Sequence, residues 1–239
     1  MKTKNITAII PARGGSKGIL RKNLYPINGK PLIQYTIEAA QQSRYLNQIM
    51  LNSEDEAIRV FCSGLGVDVA YLRPGELAGD RSRQIHAILN WLDWMENNRK
   101  LPDIVVLLQP TSPLRSSKLI DLAIEAFLNQ PDVSLVGVSE MKEHPAKSIH
   151  KQDGRWHYLI DSGDYVPRRQ EMSKDYYVIN GSIYIATPEW IRAHQGFTVE
   201  GKTQLFETPD LEGVDVDTML DVYYVEALLK AKTETTIKE

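Results

Sequence analysis

The chain has 239 residues, a formal net charge of −3 and one cysteine, Cys62. This length suits one large domain whose core needs no disulfide, and the charge argues against broad nucleic-acid binding, which requires a strongly basic face. The N-terminus lacks the apolar run of a signal peptide and no segment approaches membrane-spanning length, so we expect a cytoplasmic protein with no membrane partner.

Apolar runs typical of strands alternate with amphipathic segments along the first half of the chain. The patterns predict strands at 6–11, 48–53, 67–71, 104–108 and 134–138, and helices at 31–43, 54–65, 82–97 and 117–128. A further strand at 182–186 and a helix from 218 to about 232 complete the series. This alternation predicts an α/β fold with a mainly parallel sheet covered on both faces, whose ligands bind outside the carboxyl ends of the strands.

The alternation is interrupted between residues 142 and 177. This stretch contains prolines, glycines and dense charge, with a hairpin-like pattern around 155–160. It predicts an inserted arm rather than another strand–helix–strand unit. We therefore expect a single domain over 1–239 with an arm at about 142–177.

The loop after the first predicted strand combines glycines with cations. Adjacent glycines let backbone N–H groups turn toward one point, and the spaced cations match the charge of a triphosphate. A solvated basic turn is the alternative, and neither the Walker loop nor the dinucleotide fingerprint fits the spacing. The candidate nucleotide-binding residues of this loop are Ala12, Arg13, Gly14, Gly15, Ser16, Lys17, Lys22 and Asn23.

Two aspartates near the C-terminus form a candidate metal site. Asp215 and Asp217 lie two residues apart, so in a strand both carboxylates would face one side and converge on a hard cation such as Mg²⁺. Alternatively, Asp217 caps the helix predicted from 218, which leaves Asp215 unexplained between apolar neighbours.

A proline-rich turn follows the strand predicted at 104–108. It reads Gln-Pro-Thr-Ser-Pro-Leu-Arg over residues 109–115. Gln109 stands at the strand's carboxyl end, where it can contact a substrate, although a purely structural turn explains the prolines equally well.

Five motifs resemble those of the acylneuraminate cytidylyltransferases, in the same order. The glycine loop reads Ile-Pro-Ala-Arg-Gly-Gly-Ser-Lys-Gly-x-x-x-Lys-Asn, and the other motifs lie at 72–80, 109–115, 168–181 and 214–218. The resemblance runs nearly end to end. It implies a Rossmann-like nucleotide-diphospho-sugar transferase fold, a three-layer sandwich. It also implies Mg²⁺, a homodimer joined through the arm, and formation of a CMP-sugar and pyrophosphate from CTP and a nine-carbon sugar acid.

The resemblance also implies roles for individual residues. Arg13 and Lys22 would hold the phosphates, and Asp215 and Asp217 the metal, so these four would carry catalysis. Arg73, Asp80 and Asn23 would contribute to the nucleotide site near the base, although a surface loop with a helix cap at Asp80 is the alternative for the 72–80 segment. The implied sugar-binding residues are Gln109, Lys147, Asn180 and Tyr184.

The chain departs from the family pattern at a few positions. Val178 stands where sialate-specific members commonly have arginine, which removes a cation that would grip a sugar carboxylate. Residues 51–54 read Leu-Asn-Ser-Glu instead of Val-Ser-Thr-Asp. These departures leave the sugar open between N-acetylneuraminate and legionaminate types. Two alternatives to this function remain. The protein is a nucleotidyltransferase that uses another nucleotide or sugar acid, or it is a CTP-binding regulator without catalysis.

Overall fold

The structure is a computed structural model that describes residues 4–160 and 176–236. Its strands are β1 (Ile6–Pro11), β2 (Pro26–Ile27), β3 (Lys30–Pro31), β4 (Gln48–Asn52), β5 (Ile104–Leu107), β6 (Ser134–Glu140), β7 (Ile149–Gln152), β8 (Arg155–Tyr158), β9 (Tyr177–Ala186) and β10 (Thr203–Glu207). Its helices are α1 (Leu32–Gln41), α2 (Glu56–Gly64), α3 (Gln84–Asn97), α4 (Ser117–Asn129), α5 (Pro188–His194) and α6 (Met219–Thr236). Short 3₁₀ turns lie at Lys22–Leu24, Gly75–Leu77 and Pro145–Lys147.

Six strands form the central sheet in the order β10-β6-β9-β5-β1-β4. β1 runs parallel to β4 and β5, and β10 runs parallel to β6, whereas β9 is antiparallel to both of its neighbours. The carboxyl ends of β1, β4 and β5 therefore meet at one edge of the sheet. This arrangement confirms the predicted mainly parallel sheet.

Helices bury both faces of the sheet. Every residue of β1 is buried, because Ala8 and Ile10 face one apolar cluster and Ile9 faces another. The first cluster includes side chains of α1, α2 and α4, and the second includes side chains of α3 and α5. These layers confirm the predicted three-layer α/β sandwich. Within the described residues, no helix is long and apolar enough to cross a membrane.

The prediction of a strand at residues 67–71 is wrong, because this segment does not join the sheet as a strand. Its contact with β4 is a single bridge between Met50 and Asp68, made by two backbone hydrogen bonds. Beyond this bridge, the Tyr71 carbonyl accepts a hydrogen bond from the Arg59 guanidinium at 2.8 Å, so a side chain replaces the sheet partner. Val67 and Tyr71 are buried in the core, which explains the apolar pattern without a strand.

The second half of the chain contains elements that the sequence patterns did not predict. The strand predicted at 182–186 is the end of the longer β9, which begins at Tyr177. Helix α5 and edge strand β10 were both missed. β10 is a short, half-exposed strand with mixed polarity, so it carries little period-2 signal.

The described part of the predicted arm is separate from the central sheet. A 3₁₀ turn is followed by β7 and β8, which pair only with each other as an antiparallel hairpin among the described strands. All residues of both strands are exposed. The Arg-Arg-Gln run at 168–170 lies outside the described residues.

Candidate active site

A cavity of about 610 Å³ opens at the carboxyl ends of β1 and β5. Its lining combines the glycine loop, the 72–80 segment, the turn after β5 and the segment before α6. The predicted site residues that line it are Arg13, Ser16, Lys17, Lys22, Asn23, Arg73, Asp80, Gln109, Asp215 and Asp217. The fold thus brings together residues from four separate motifs.

The first part of the glycine loop is fixed to the sheet. Ala12 is buried and donates its N–H to the Asn52 carbonyl at 3.0 Å, and the Gly14 N–H donates to Glu54 Oε1 at 2.7 Å. A Cβ on Gly14 would collide with Asp55. Ala12, Gly14 and Gly15 lie outside the lining of the cavity. Within the described chain, the N–H groups of residues 15–17 donate to no protein acceptor, and neither do those of residues 18–21, so these loop amides are available to an anion.

Two cations of the glycine loop share one carboxylate. Arg13 and Lys17 both contact Asp80, at 3.0 and 2.9 Å. Hydrogen bonding from Lys17 contributes most to lowering the pKa of Asp80, with Arg13 adding to it. These pairs are solvent-exposed and therefore weak, so a polyanion that offers several charges can replace Asp80 as the partner.

Two residues predicted to read the base are held by protein groups. Asn23 is buried and donates its side-chain amide to the Arg13 carbonyl at 2.9 Å, which closes the loop on itself. Arg73 is only 6% exposed and donates to the side chain and the carbonyl of Asn52. Burial lowers the pKa of Arg73, and the nearby Glu54 carboxylate opposes that shift.

Asp215 and Asp217 converge on the cavity without forming a strand. Residues 214–217 have irregular backbone, and Val216 between the aspartates is buried and donates its N–H to the Thr111 carbonyl at 2.8 Å. The buried valine turns both flanking carboxylates toward the cavity. Both aspartates thus line the same cavity, whereas the strand assumed for residues 214–217 is wrong.

Asp217 does not cap α6. The Asp221 carboxylate accepts hydrogen bonds from the N–H and the hydroxyl of Thr218, at 2.7 and 2.8 Å, which is the arrangement of a capping box. Asp217 instead contacts the Lys22 ammonium at 2.9 Å, and Lys22 also donates to the Val216 carbonyl. The capping alternative for Asp217 is wrong.

Asp215 is a half-buried carboxylate with one buried, unused oxygen. Its Oδ1 has no hydrogen-bond partner within the described part of the chain. Burial raises its pKa, a hydrogen bond from Thr111 opposes the shift, and Asp217 adds to it. No group of three or more His, Cys, Asp or Glu that would hold a metal occurs among the described residues. A cation between these two aspartates would therefore need further oxygens from a ligand or water, as Mg²⁺ commonly takes.

A second cavity, of about 630 Å³, adjoins the first. Gln109 and Asp215 belong to the linings of both cavities. Gly181 has φ +75°, and a Cβ there would lie 2.6 Å from Gln109 Oε1, so the glycine makes room for that side chain. Tyr184 also lines this cavity, and burial raises its pKa.

Asn180 lines the second cavity with its side chain fully engaged. Its amide nitrogen donates to Ser139 and Thr208 at 2.7 and 2.6 Å, and its oxygen accepts from the N–H and the hydroxyl of Ser182. These bonds hold β9 where its pairing with β6 shifts register. Lys147 lies exposed in the turn before the hairpin, outside the linings of both cavities, so the structure does not bring it to the site.

The family described as Cytidylyltransferase matches residues 7–189. This chain belongs to that family.

Relatives of the chain extend over almost all of its length. It is 30% identical to the pseudaminic acid cytidylyltransferase of Campylobacter jejuni serotype O:23/36 over 97% of this chain and 99% of that protein. It is 34% identical to the CMP-N,N'-diacetyllegionaminic acid synthase of Legionella pneumophila, with the same coverage. It is also 33% identical to the N-acylneuraminate cytidylyltransferase of Streptococcus agalactiae serotype V, over 91% of this chain and 51% of that protein.

Solved structures of other enzymes share the fold. The structure of CMP:2-keto-3-deoxy-manno-octonic acid synthetase complexed with CTP has a TM-score of 0.68 at 18% identity, covering 95% of this chain and 99% of its own. The 4-diphosphocytidyl-2C-methyl-D-erythritol synthase from Anaerococcus prevotii has a TM-score of 0.66 at 16% identity, with coverage of 95% and 97%. These likenesses confirm the predicted nucleotidyltransferase-type architecture.

Two residues that hold the walls of the first cavity in place, Arg115 and Glu54, were not predicted from the sequence. Arg115 is buried and donates to the Gln109 and Ser182 carbonyls and to the Thr36 hydroxyl. Glu54 accepts the Gly14 N–H. Arg115 is the last residue of the 109–115 motif, but the motif itself does not indicate that the guanidinium is buried. Glu54 contacts residues that are distant in sequence, so no spacing pattern in the chain points to it.

Proposed function

We propose that this protein transfers CMP from CTP to the anomeric hydroxyl of a nonulosonic acid and releases pyrophosphate. The observation that carries the proposal is the meeting of the two cavities at Gln109 and Asp215. One cavity offers cations and free amides for a triphosphate, and the other has room for a sugar acid. The family match and the activities named for the relatives support the same reaction.

The nucleotide occupies the first cavity in this proposal. Its phosphate oxygens take the amides of residues 15–17 and the charges of Arg13, Lys17 and Lys22, because charge-assisted hydrogen bonds to phosphate are strong. Arg13 and Lys17 exchange the Asp80 carboxylate for the phosphates. Arg73 and Asn23, which are held by protein groups, form the wall that receives the base.

We assign Mg²⁺ to Asp215 and Asp217, with the remaining ligands from the phosphates and water. The buried Oδ1 of Asp215, which has no partner among the described residues, fits this assignment, because such an oxygen requires a cation or a donor. When bound, the metal would neutralise charge that develops on the phosphate oxygens. Lys22, which now contacts Asp217, is close enough to share that carboxylate or to turn to a phosphate.

The sugar's anomeric oxygen forms the new bond to the α-phosphorus as the bond to the pyrophosphate oxygen breaks, and the hydroxyl proton leaves to a base or to solvent. Such chemistry depends on positioning and charge stabilisation rather than on a covalent intermediate. Gln109, at the boundary of the two cavities, is placed to hold the sugar near the phosphorus. Asn180, through Ser182, keeps β9 in position beside it.

The second cavity favours a sugar with apolar substituents. Val178 and Ile179 line it and are each 49% exposed, so they offer an apolar surface where an arginine would grip a carboxylate. Acylamino and deoxy groups of legionaminate-type sugars bury well against such a surface. We therefore place this sugar class ahead of N-acetylneuraminate.

The experiment is a pyrophosphate-release assay with Mg²⁺. CTP is offered with N-acetylneuraminate, diacetyllegionaminate, pseudaminate or Kdo, and then UTP, GTP and ATP replace CTP with the active sugar. The proposal predicts release with CTP and a nonulosonate only. Release with another nucleotide favours the alternative specificity, whereas CTP binding without release from any sugar favours the non-catalytic regulator.

We also propose that the protein acts as a cytoplasmic homodimer joined through the arm. The hairpin β7–β8 stands apart from the central sheet and exposes Ile149, Trp156 and Tyr158 on one face. An exposed apolar face of this kind is typical of an interaction surface.

A further inference from the structure

Glu54 lies between the glycine loop and Arg73, which belong to the phosphate side and the base side of the proposed nucleotide site. It lies two residues after the end of β4, and its side chain is 23% exposed. One carboxylate oxygen accepts the Gly14 N–H at 2.7 Å, and the other lies 4.0 Å from Arg73 Nη1. That second oxygen is buried without a hydrogen bond in the described part of the structure. None of the steps proposed above uses this carboxylate.

The corner that carries Glu54 is bonded to both sides of the site. The Asn52 carbonyl accepts the Ala12 N–H at 3.0 Å and the Arg73 guanidinium at 2.6 Å. The Ser53 carbonyl accepts the Arg73 N–H at 3.2 Å. Residues 52–54 therefore connect the glycine loop to the base-side wall. Glu54 extends this connection by two residues into the loop, from Ala12 to Gly14.

The contact with Gly14 decides where the free amides point. Gly14 lies against Asp55 with no space for a Cβ, so its backbone is confined on one side by packing and on the other by the Glu54 hydrogen bond. In the described part of the chain, the N–H groups of the next three residues have no protein acceptor. Because consecutive peptide planes share Cα atoms, a shift at Gly14 changes the direction of the following amides.

Charge alone does not account for a carboxylate at this position. A buried guanidinium such as Arg73 needs a nearby negative charge or good acceptors, and Asn52 already supplies two acceptors. A negative charge close to a triphosphate loop also repels the nucleotide. The hydrogen bond from the Gly14 N–H explains why a carboxylate is present at position 54 in spite of this repulsion.

We propose that Glu54 is a positioning residue that fixes the glycine loop through Gly14 and thereby orders the amides of residues 15–17 for phosphate. The assignment of phosphate as the ligand rests on the function proposed above. The alternative is that Glu54 serves only as a counterion that stabilises buried Arg73. The two hypotheses predict different effects of a neutral hydrogen-bond acceptor at position 54.

The test compares Glu54→Ala, Glu54→Gln and Glu54→Asp with the matched control Glu56→Gln. Glu56 lies two residues away with its side chain 83% exposed. Amide hydrogen exchange of a peptide covering 12–18 is measured without nucleotide, and CTP affinity is measured by calorimetry. Loss of the Gly14 bond in the alanine variant should accelerate exchange and weaken CTP binding, each about fivefold or more.

The conservative variants separate the two roles. Glutamine keeps an acceptor for Gly14 but loses the charge, so exchange and CTP affinity should stay within about twofold of wild type. Aspartate keeps the charge but is one methylene shorter, so it should behave like alanine, and Glu56→Gln should match wild type. The expected pattern is thus wild type ≈ glutamine, and alanine ≈ aspartate.

Three results would overturn the assignment. They are wild-type exchange in the alanine variant, wild-type exchange in the aspartate variant, or a glutamine variant as impaired as alanine. If the alanine variant does not fold, the comparison of glutamine with aspartate decides. Absence of CTP binding by the wild type would contradict the proposed function, whereas the exchange pattern would still decide the role of Glu54.

Discussion

Asp215, at the junction of the two cavities, combines a proposed role in metal binding with a cost to stability. Burial raises the pKa of Asp215 above its ordinary value of 3.8. Between these two pKa values the folded chain keeps a proton that the unfolded chain has lost, so this residue's contribution to stability falls as pH rises through that window. Above that window the cost of burying the charge is present.

We predict that Asp215→Asn raises the melting temperature at pH 7 while it abolishes most activity. The amide has no charge to desolvate, so the variant should gain stability, and the gain should shrink as pH falls toward 4. Loss of the proposed metal ligand should lower kcat/KM on the order of 100-fold. Calorimetric melting and pyrophosphate release measure the two effects. The exposed Asp132→Asn serves as control, and a destabilised or fully active Asp215→Asn would contradict the account.

A second residue-scale prediction concerns Gly181, whose missing Cβ makes room for Gln109. Gly181→Ala should push the Gln109 side chain away and raise the KM for the sugar about tenfold or more, with little change in the KM for CTP. Gly154→Ala is the matched control, because Gly154 has φ +77° and open space around its missing Cβ. Both variants carry the strain of a positive φ, so equal kinetics in the two would refute the role assigned to Gly181.

At the scale of elements, one buried guanidinium joins three of them. Arg115, at the end of the turn after β5, donates to the Gln109 carbonyl at 3.2 Å, to the Ser182 carbonyl in β9 and to the Thr36 hydroxyl in α1 at 2.7 Å. Burial lowers its pKa to about 9. The position of Gln109 thus depends on the contact between β5, β9 and α1.

Arg115→Met should destabilise the fold by about 3 kcal/mol, because it leaves several buried acceptors unpaired. Arg115→Lys should recover only part of that loss, since an ammonium cannot reproduce the planar set of donors. Urea unfolding measures both. The exposed Arg155→Met should leave the midpoint unchanged, and an Arg115→Met midpoint equal to wild type would contradict the structural role.

At the scale of the whole molecule, the alternation of apolar runs was enough to predict the sandwich and the edge of the sheet that holds the site. The convergence of Asp215 and Asp217 was predicted for the wrong reason, since a buried valine rather than a strand orients them. The corner at Glu54 and the burial of Arg115 were not predictable. Both depend on contacts between segments far apart in sequence, which leave no spacing pattern in the chain.

The proposed dimer gives a prediction at the same scale. Trp156→Ser should remove apolar surface from the exposed face of the β7–β8 hairpin and dissociate the dimer in sedimentation velocity experiments. His157→Ser, one residue away on the opposite face of the hairpin, should leave the dimer intact. A wild-type protein that sediments as a monomer, or a Trp156→Ser variant that stays dimeric, would contradict this use of the hairpin.

The most direct test of the central claim is the stoichiometry of the products formed from CTP and a nonulosonic acid. Mass spectrometry quantifies the CMP-sugar while a coupled assay quantifies pyrophosphate. The account predicts one CMP-sugar for each pyrophosphate, with both lost together in Asp215→Asn. Pyrophosphate released with free CMP and no CMP-sugar, or no reaction with any nonulosonate, would contradict it.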